Sequence, residues 1–471
     1  MSEERLIPNI LEDLLLVFSG SPIWLVGGWV RDYFLQRESH DLDLVIDGDA
    51  IAVGRACADA VDGDVYVLDA ERNICRVLYT KDGHRITLDL AALRANGIEA
   101  DLNARDFSIN ALAINLHDGK LVDPTGGLRD LKDGLLEICA PDSFRRDPIR
   151  TLRAVRFAVD LDLRWTAATL SGLRSAKGFL SSVSAERIRD ELFHILGLTQ
   201  PDAALRLMEH EGLVGYVLPG TESDSEEPVR GRADIVSQAR QLMNWLSPER
   251  GGHAGSMLEA QILQLMGSRR RDLFSALEYT NPSGRRRREL LLLGGYLLGQ
   301  ASLKTHAPSQ VYEQYGKSVM QHLRLSRAEQ AFVETIFAVQ PLLEELAAEQ
   351  EFQASMGYHI YRVAGDALWS ALLLFLARAL AHSEGPPSPD EIQQVLATAA
   401  FLIEDVVDKQ KVFSMEPLLN GDAIQNLLDI GPGRDVGWVL SMLKEEQALG
   451  KVQTPEEASA FIKALWSRRS S

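Results

Sequence analysis

The alternation of hydrophobic and polar residues changes character along the chain. In roughly the first 140 residues, short apolar runs with a period of two alternate with helical patterns, as in Asp41–Ile46, where leucine alternates with aspartate. After Pro141, apolar residues recur at intervals of three and four, as in Ile149, Leu152 and Val155. The pattern predicts an α/β region followed by an all-helical remainder.

The expected strands of the α/β region are short apolar runs bounded by turn-forming residues. We place them at residues 22–26, 41–46, 64–68, 73–79, 85–91 and 111–116, with a helix at 30–35. Two polar segments that contain proline, 221–228 and 383–389, show no period and are predicted to be loops.

Composition and charge narrow the class of protein. The chain has 471 residues, of which 46% are hydrophobic and 25% charged, as is ordinary for a globular protein. Its 49 Lys and Arg against 67 Asp and Glu leave a formal charge of −18. Because a protein that binds nucleic acid through its overall charge is normally basic, this balance by itself argues against a nucleic-acid partner.

The cysteines and the longest apolar stretch indicate where in the cell the protein is located. Cys57, Cys75 and Cys139 include no CxxC pair, so their spacing predicts neither a disulfide framework nor a zinc site, and a reducing, cytoplasmic location is the simplest interpretation. The longest apolar stretch, 367–381, is about 15 residues long, whereas a membrane-spanning helix needs about 20. We expect a buried or amphipathic helix there and no membrane association.

Two candidate strands carry carboxylates on their polar faces. In the strand 41–46 the period of two puts Asp41 and Asp43 on one face, and in the strand 85–91 it puts Asp89 on the polar face. A lone DxD is usually an edge strand that faces solvent. If the two strands are neighbours, however, three carboxylates converge, and oxygen ligands of this kind suit Mg²⁺ and metal-dependent phosphoryl or nucleotidyl transfer.

A Gly-Gly turn precedes the DxD segment. In Leu25-Val-Gly-Gly-Trp-Val-Arg-Asp32 a strand enters Gly27-Gly28 and continues as a helix, which brings backbone N–H groups to the end of the strand, where phosphate can bind. Arg31 could add a bidentate contact. The alternative is a tight turn with Arg31 in solvent, but the nearby DxD favours a phosphate site.

Several segments together resemble a known family. LVGGWVRDYFL, HDLDLVIDG, ARDFSINALAI, DPTGGLRDL and FRRDPIRTLRAVRFA occur in this order between residue 23 and about residue 196. They closely resemble the motifs of class II tRNA nucleotidyltransferases (CCA-adding enzymes) and bacterial poly(A) polymerases. A weaker similarity to the tail of this family returns at 417–458.

The resemblance implies a fold and a division of the chain. We expect an α/β head of the polymerase-β-like nucleotidyltransferase type at 1–142, followed by an all-α neck at 143–200, body at 201–400 and tail at 401–471. The helical parts would hold the acceptor arm and 3′ end of a tRNA, and the neck would select the base of the incoming CTP or ATP.

The resemblance also implies roles for individual residues. Asp41 and Asp43 would bind Mg²⁺, with Asp89 as the third catalytic acid. Gly27, Gly28 and Arg31 would lie at the triphosphate. Arg105 and Asp106 belong to the motif that handles the nucleotide sugar and the motions of the head.

The neck motif suggests how C and A are chosen without a template. We place Asp147 and Arg150 on one helix, at i and i+3, so that they share a face. Asp147 would accept from the exocyclic amine of cytosine or adenine, and Arg150 would donate to a ring acceptor. Uracil and guanine present a carbonyl and a ring N–H there, which would leave buried groups unpaired. The alternative is a capping Asp and a surface ion pair. We assign Arg153 and Arg156, in the same motif, to the nucleotide site as well.

The sequence departs from the family pattern at three points. Arg146 stands where an acid usually precedes Asp147, and Ala104 stands where a second Arg usually precedes Arg105. Only residues 90–104 separate Asp89 from Arg105, whereas relatives that add all of CCA tend to have a longer flexible loop there. The short interval favours a CC-adding enzyme that leaves the last A to a partner A-adding enzyme.

Arginine clusters supply local positive charge. Besides the neck motif they lie at 269–271, at Arg285, Arg286, Arg287 and Arg288, and at 468–469. Charge runs are usually only solvated, but behind a nucleotidyl-transfer head we interpret them as contacts to RNA phosphates. A local field of this kind is compatible with the charge of −18, because salt screens charges beyond about 8–10 Å.

Three other functions stay open at this point. A poly(A) polymerase shares every motif used above. A non-catalytic tRNA-binding module would be expected to have lost some of Asp41, Asp43, Arg31, Asp147 and Arg150. An enzyme that transfers a nucleotide to a small molecule would not need the long helical region with its arginine clusters.

Overall fold

The computed structural model describes residues 9–39, 41–94, 96–220, 232–249, 254–302, 315–349, 351–381, 388–409 and 413–470. Internal contacts divide the chain into two units, one of Met1–His194 with Glu211–Val217 and one of Ile195–His210 with Leu218–Ser471. The finer division into head, neck, body and tail stays a prediction. The predicted loop 221–228 and most of 383–389 lie outside the described residues.

The first unit contains a seven-stranded mixed sheet. Its strands are β1 (Ile23–Val26), β2 (Asp41–Ile46), β3 (Asp64–Asp69), β4 (Ile74–Lys81), β5 (His84–Ala92), β6 (Ala113–Asn115) and β7 (Leu121–Val122). They lie in the order β3-β4-β5-β2-β1-β6-β7. The β2–β5 pair is parallel and the other neighbours are antiparallel. All six predicted strands are confirmed within about two residues at their ends.

The sheet buries apolar residues on both faces because its strands follow the period of two. On β2, Leu42 and Leu44 are buried while Asp41 and Asp43 are exposed. One face packs against the helices that follow β1 and β2 in a core that includes Leu25, Val30, Leu42, Ile46 and Cys57. A smaller core on other strand residues contains Val26, Val45, Leu102, Ala111 and Ala113.

Helices complete the first unit. They are α1 (Gly28–Phe34), α2 (Ala50–Val61), α3 (Ile98–Asn103), α4 (Gly127–Asp133), α5 (Ser143–Arg146), α6 (Arg150–Asp160), α7 (Ala167–Ala176), the first ten residues of α8 (Ala185–Leu196), and α10 (Val214–Val217). Asp49 caps α2 by accepting from the amides of Ile51 and Ala52, both at 3.1 Å. A two-stranded parallel sheet, β8 (Leu135–Leu136) with β9 (Arg164–Trp165), also belongs to this unit.

Among the described residues of the second unit, helices are joined by turns and irregular segments, and no strand longer than an isolated β-bridge occurs. Its helices are α9 (Pro201–His210), α11 (Arg232–Leu246), α12 (Met257–Met266), α13 (Arg270–Glu278), α14 (Arg287–Ser302), α15 (Lys317–His322), α16 (Arg327–Ala348), α17 (Ala354–Ala364), α18 (Leu368–Leu380), α19 (Pro389–Phe401), α20 (Gly421–Leu428), α21 (Arg434–Ala448) and α22 (Pro455–Ser470). Ser326 and Ser388 start α16 and α19 with capping boxes. The α/β head followed by helices is confirmed.

The apolar stretch at 367–381 forms a buried helix, as predicted. Every residue from Leu368 to Ala377 in α18 is buried. The helical segment Ala354–Leu380 is long and apolar enough to cross a membrane by length and composition alone, but 67% of its most apolar window is buried inside the protein. That burial is typical of a core helix.

Candidate active site

The sheet register places an arginine and two aspartates in one row across three strands. Asp43 on β2 is the direct partner of Asp89 on β5, and Asp89 is the direct partner of Arg76 on β4. Asp41 lies two residues before Asp43 on the same face of β2. The prediction that the two acid-bearing strands are neighbours is therefore confirmed.

The surroundings of Asp43 raise the pKa of its carboxyl group. Although Asp43 is exposed, the protein atoms around its carboxyl group desolvate it and raise its pKa, the charges of Asp89 and Asp41 raise it further, and Arg105 and Arg76 oppose them. Asp89 is bound at both oxygens by Arg76, with Nε–Oδ1 and Nη2–Oδ2 distances of 2.7 Å. Sequence reasoning missed Arg76, although the period of two on β4 puts it on the polar face, between buried Cys75 and Val77.

The acids only partly match the expected metal site. Asp41 and Asp43 are exposed on one face and offer the oxygen donors that Mg²⁺ prefers. Within the described residues, however, no group of three or more His, Cys, Asp or Glu side chains is arranged to hold a metal ion. The sheet brings the three carboxylates near one another, and Asp89 is also paired with Arg76, so its role as the third catalytic acid stays a prediction.

Gly27 lies where a side chain would collide with the site. Its φ of +73° belongs to the region that favours glycine. A Cβ there would lie 3.0 Å from Nη1 of Arg105 and 3.6 Å from Oδ2 of Asp43. The Gly-Gly turn therefore brings the start of α1 against the first acidic strand, whereas a Cβ on Gly28 would meet only Nη2 of Arg31 at 3.7 Å.

Arg31 lies beside this turn with its guanidinium group already bound. The side chain is buried, donates from Nη1 to Oδ1 of Asn110 at 2.7 Å, and donates from Nε to Oδ1 of Asp32 at 2.8 Å. Neither of the two alternatives posed by the sequence, a phosphate clamp or a solvated arginine, describes this state. Contact of Arg31 with a triphosphate stays a prediction.

Arg105 and Asp106 have different surroundings. Arg105 makes a 3.4 Å ion pair with Asp101, and its buried Nε has no hydrogen-bond partner. Asp106 is buried and accepts from Arg153, with an Nη2–Oδ2 distance of 2.7 Å, and from Asn110 at 3.1 Å. Burial would raise the pKa of Asp106, but the charge of Arg153 and these hydrogen bonds hold it below its ordinary value.

Arg153 and Arg156 contact the same aromatic ring. Their guanidinium carbons lie 5.3 and 4.4 Å from the ring centroid of Phe157, and that of Arg31 lies 5.3 Å from it. Arg156 also pairs with Glu191 at 2.5 Å. Both arginines are therefore held by acids and by Phe157.

The expected Asp147–Arg150 helix face is wrong. Asp147 follows the last residue of α5 with extended backbone (φ −146°, ψ 94°), and Arg150 is the first residue of α6. Pro148 is the reason, because the residue before a proline is disfavoured in the helical region. Arg150 donates to the carbonyls of Ala104 and Arg105 and to Oγ of Ser143, at 3.0, 3.1 and 2.7 Å.

Asp147 and Arg150 nevertheless line one cleft. The cleft has a volume of about 420 Å³ and is lined by Arg105, Asp106, Asp147, Ile149, Arg150, Arg153, Arg187, Asp190, Glu191 and His194. The last four lie on α8 and were missed by sequence reasoning, although their spacing of three and four residues marks one helix face. Nη2 of Arg187 lies 2.8 Å from Oδ2 of Asp147.

The cluster Arg285–Arg288 in the second unit is ion-paired. Arg285 pairs with the buried Glu329, Arg286 with Glu278 and Glu289, Arg287 with Asp366, and Arg288 with Glu278. Acids therefore compensate the charge that was expected to meet RNA. Binding of RNA by these four residues stays a prediction.

Comparisons with known proteins show which sequences and folds this chain resembles. Residues 23–137 match the family model described as the poly A polymerase head domain, and residues 164–225 match the probable RNA- and SrmB-binding site of polymerase A. A CC-adding tRNA nucleotidyltransferase of Geobacter sulfurreducens is 29% identical, over 97% of this chain and 94% of its own. An A-adding tRNA nucleotidyltransferase of Deinococcus radiodurans is 31% identical, over 93% and 94%.

Solved structures share the fold. A CCA-adding enzyme in complex with CTP superposes with a TM-score of 0.66 at 23% identity, covering 98% of this chain and 96% of its own. A Thermotoga maritima CCA-adding enzyme in complex with tRNA gives 0.61 at 24% identity, covering 98% and 97%. With an acid-bearing sheet, a glycine turn and relatives that match over nearly their whole length, the chain belongs to the class II tRNA nucleotidyltransferase family, which includes the CCA-adding enzymes.

Proposed function

We propose that this protein adds cytidine to the 3′ end of tRNA and stops after CC. The chemistry is metal-dependent transfer of a nucleoside monophosphate from CTP, with release of pyrophosphate. The register row of Asp43 and Asp89 beside the Gly27 turn is the observation that carries the reaction class. The names of the two relatives that match nearly the whole chain support tRNA and the C or A nucleotides as substrates.

The reaction needs little covalent chemistry from the chain. The RNA 3′-hydroxyl gives up its proton to solvent as its oxygen forms a bond to the α-phosphorus of the triphosphate, and the bond from that phosphorus to the bridging oxygen breaks, so that pyrophosphate leaves. The protein's part is to hold the two reactants in line and to offset the negative charge of the phosphates. Gly27, Gly28 and Arg105, with its unpartnered Nε, would hold the triphosphate next to Asp43.

Divalent metal dependence is general in this family, and we propose Mg²⁺ as the ion. Asp41 and Asp43 would hold it through their carboxylate oxygens. A bound cation would polarise the attacking and leaving oxygens. It would also relieve the repulsion that raises the pKa of Asp43.

Base selection would take place in the cleft lined by Asp147. With Arg150 bound to the carbonyls of Ala104 and Arg105, we assign the amine-accepting role to Asp147 and leave to Arg150 the shaping of the cleft wall. Cytosine and adenine both offer an exocyclic amine to the free oxygen of Asp147. Uracil and guanine would place a carbonyl oxygen against it.

The CC subtype depends on the short interval between Asp89 and Arg105. Its described residues are the end of β5 and the six-residue helix α3, while Ala95 lies outside the described residues. The CC-adding relative, which matches 97% of this chain, supports this subtype. The A-adding relative, which matches 93% of it, supports the alternative of A addition. A separate A-adding enzyme would then complete the tRNA.

We also expect the protein to work in the cytoplasm. Cys57, Cys75 and Cys139 are free thiols, as suits a reducing compartment. The bacterial relatives are tRNA-processing enzymes, whose substrates are cytoplasmic.

One assay tests the proposal. The full chain is incubated with Mg²⁺, each labelled nucleoside triphosphate, and three RNAs: a tRNA that ends at the discriminator base, a tRNA that ends in CC, and an unstructured RNA. Two cytidines on the first RNA alone would support CC addition. Adenosine on the CC-ended tRNA would contradict the subtype, long A tails on every RNA would indicate a poly(A) polymerase, and no product at all would indicate a non-catalytic tRNA-binding module.

A further inference from the structure

The row of residues that carries the acids continues to the edge of the sheet. From β2 outwards its members are Asp43, Asp89 on β5, Arg76 on β4 and Tyr66 on β3, each the direct register partner of the next. Direct partners place their side chains on one face of a sheet, so Tyr66 shares the face of the two aspartates. No step of the proposed reaction uses Tyr66.

Tyr66 is an exposed aromatic residue on an edge strand. It is 50% exposed, and β3 is the outermost strand beyond β4 in the sheet order. The next residue, Val67, is also exposed but is the register partner of the buried Cys75, so it lies on the opposite face. A half-exposed ring is a stacking surface for a nucleic-acid base, and it accepts any of the four bases because each has a π-face.

The triphosphate site determines the side from which the RNA arrives. In the proposed reaction Gly27 and Arg105 hold the triphosphate, and Gly27 follows β1, which is the neighbour of β2 on the side away from β5. Transfer is an in-line displacement, in which the attacking and leaving oxygens lie on opposite sides of the phosphorus. Pyrophosphate therefore leaves towards β1, and the RNA 3′-hydroxyl approaches from the side of β5, β4 and β3.

Arg76 lies between the acids and Tyr66 and carries the charge that an RNA strand needs there. Its two hydrogen bonds to Asp89 use Nε and Nη2, so the donors on Nη1 remain outside this pair, and its side chain is 43% exposed. A single RNA strand along the row would meet a cation for a phosphate and then an aromatic ring for a base. Proteins that bind single-stranded nucleic acid combine these two elements.

We infer that Tyr66 is the stacking site for an unpaired base of the RNA 3′ end and that it guides this end to the acids. Neighbouring strands are about 4.8 Å apart, so Tyr66 lies roughly 14 Å from Asp43 along the row. Stacked nucleotides are spaced by about 3.4 Å along a strand, so the base on Tyr66 belongs to a nucleotide behind the terminal one. The inference rests on the proposed function, because the position of the triphosphate gives the direction of approach.

A second copy of this chain is the main alternative occupant, since an edge strand can pair with another strand. Antiparallel pairing of two β3 strands about their centre would place Asp64 of one copy opposite Asp69 of the other, at both ends of the pair. Like charges that are directly opposite destabilise a strand pair. These acids therefore disfavour self-pairing, whereas a base stacked on the Tyr66 ring does not use the edge of the strand.

Binding of RNA to the full chain, without turnover, tests this inference. One RNA is a tRNA that carries a single cytidine after the discriminator base, and the other has an abasic nucleotide at the discriminator position. Tyr66→Ala should weaken binding of the first RNA by about fivefold or more, as expected for the loss of one stacked base. Tyr66→Phe keeps the ring and should bind like the wild type. Val67→Ala, on the opposite face of the same strand, should also bind like the wild type.

The abasic RNA separates stacking from a merely structural effect. The wild type should bind it more weakly than the first RNA, and Tyr66→Ala should not weaken its binding further, because the base that Tyr66 contacts is gone. In transfer assays Tyr66→Ala should raise the KM for the RNA more than the KM for CTP. Unchanged binding of the first RNA by Tyr66→Ala, or an equal loss with both RNAs, would overturn the inference. A change in oligomeric state alone, measured by sedimentation, would assign the ring to an interface between copies and would overturn it as well.

Failure of the proposed function is a separate result. If the wild type transfers no nucleotide to any RNA but Tyr66→Ala loses affinity only for the RNA that has the base, Tyr66 still binds RNA and only the assigned reaction is wrong. If transfer occurs and neither RNA affinity nor the KM for RNA depends on Tyr66, the reaction stands and the role of Tyr66 falls.

Discussion

Asp43 and Asp89 are direct register partners on the parallel strands β2 and β5. Backbone hydrogen bonds therefore fix two carboxylates side by side, and Asp41 adds a third negative charge on the same face. The pKa of Asp43 rises through desolvation of its carboxyl group and through these charges. This repulsion destabilises the folded chain, and a bound cation or a neutral side chain would relieve it.

Asp43→Asn should abolish transfer and stabilise the fold. Loss of a metal ligand should lower kcat by about 10³-fold or more, since a bound metal supplies several kcal/mol of transition-state stabilisation. Because the folded-state pKa of Asp43 lies above its ordinary value, the folded chain binds more protons there. The wild type therefore gains stability from this group as the pH falls from neutrality, and the neutral Asn removes the repulsion at pH 7.

Thermal unfolding at pH 7 and pH 5, with and without Mg²⁺, checks this prediction. Stabilisation by Mg²⁺ should be present in the wild type and lost in Asp43→Asn. Asp59→Asn, on the exposed face of α2, serves as the control and should change neither activity nor stability. Wild-type rates in the Asp43 variant would refute the metal assignment.

Gly27→Ala should raise the KM for the triphosphate. Gly27 has a φ of +73° and a ψ of −131°, a backbone conformation that residues with a Cβ rarely adopt, and the added carbon would push Nη1 of Arg105, now 3.0 Å from that position, out of place. Gly83→Ala provides a matched control, because Gly83 has a φ of +81° but nothing within 4 Å of the added carbon. Steady-state kinetics should show a defect only in the Gly27 variant, and urea unfolding measures how much stability each variant loses through its positive φ.

Asp147→Ala should relax the choice of base. With the carboxylate gone, uracil and guanine no longer meet an unpaired acceptor, so misincorporation relative to CTP should rise by about tenfold or more. Competition assays with all four triphosphates measure the ratio. Asp142→Ala, which removes an exposed carboxylate paired with Arg146, should leave it unchanged. Continued exclusion of U and G in the Asp147 variant would show that this carboxylate does not read the base.

Arg285→Ala should destabilise the second unit more than it weakens binding to tRNA. The variant leaves the buried Glu329 without its cation, a change that typically costs about 3–5 kcal/mol. Arg288→Ala, whose pair with Glu278 is partly exposed, should cost less than Arg285→Ala, at about 1 kcal/mol. Urea unfolding and filter binding of tRNA distinguish the two effects. A large loss of tRNA affinity in both variants at unchanged stability would restore the RNA-binding role.

Stability should fall at alkaline pH because of buried thiols. Burial raises the pKa of Cys57 from 9.0 to about 12, so the unfolded chain ionises first. This contribution is fully present below pH 9 and is lost as the pH rises towards 12, at up to about 1.4 kcal/mol per pH unit. Urea unfolding between pH 8 and pH 10 should show a shallower decline for Cys57→Ala than for the wild type. Parallel curves would contradict the prediction.

Local patterns in the sequence predicted most of the head. The period of two in Asp41–Ile46 determines which face is buried, so the shared face of Asp41 and Asp43 followed from the sequence alone. The same holds for the buried helix Leu368–Leu380, which is apolar on all sides. The interruption of the helix between Asp147 and Arg150 could also have been predicted from the sequence, because Pro148 restricts the backbone of the residue before it.

The sequence alone was enough to predict six of the seven strands of the main sheet, the acid-bearing face of β2 and the resemblance to the family. The tertiary structure was needed to show that Arg76 pairs with Asp89, that Arg105 lies beside the Gly27 turn, and that Arg187 pairs with Asp147. Periodicity gives the face of an element, whereas these pairings depend on strand order, on register and on how distant helices pack against the head. Strand order, register and packing relate segments that are distant in the sequence, so the local pattern of one segment does not predict them.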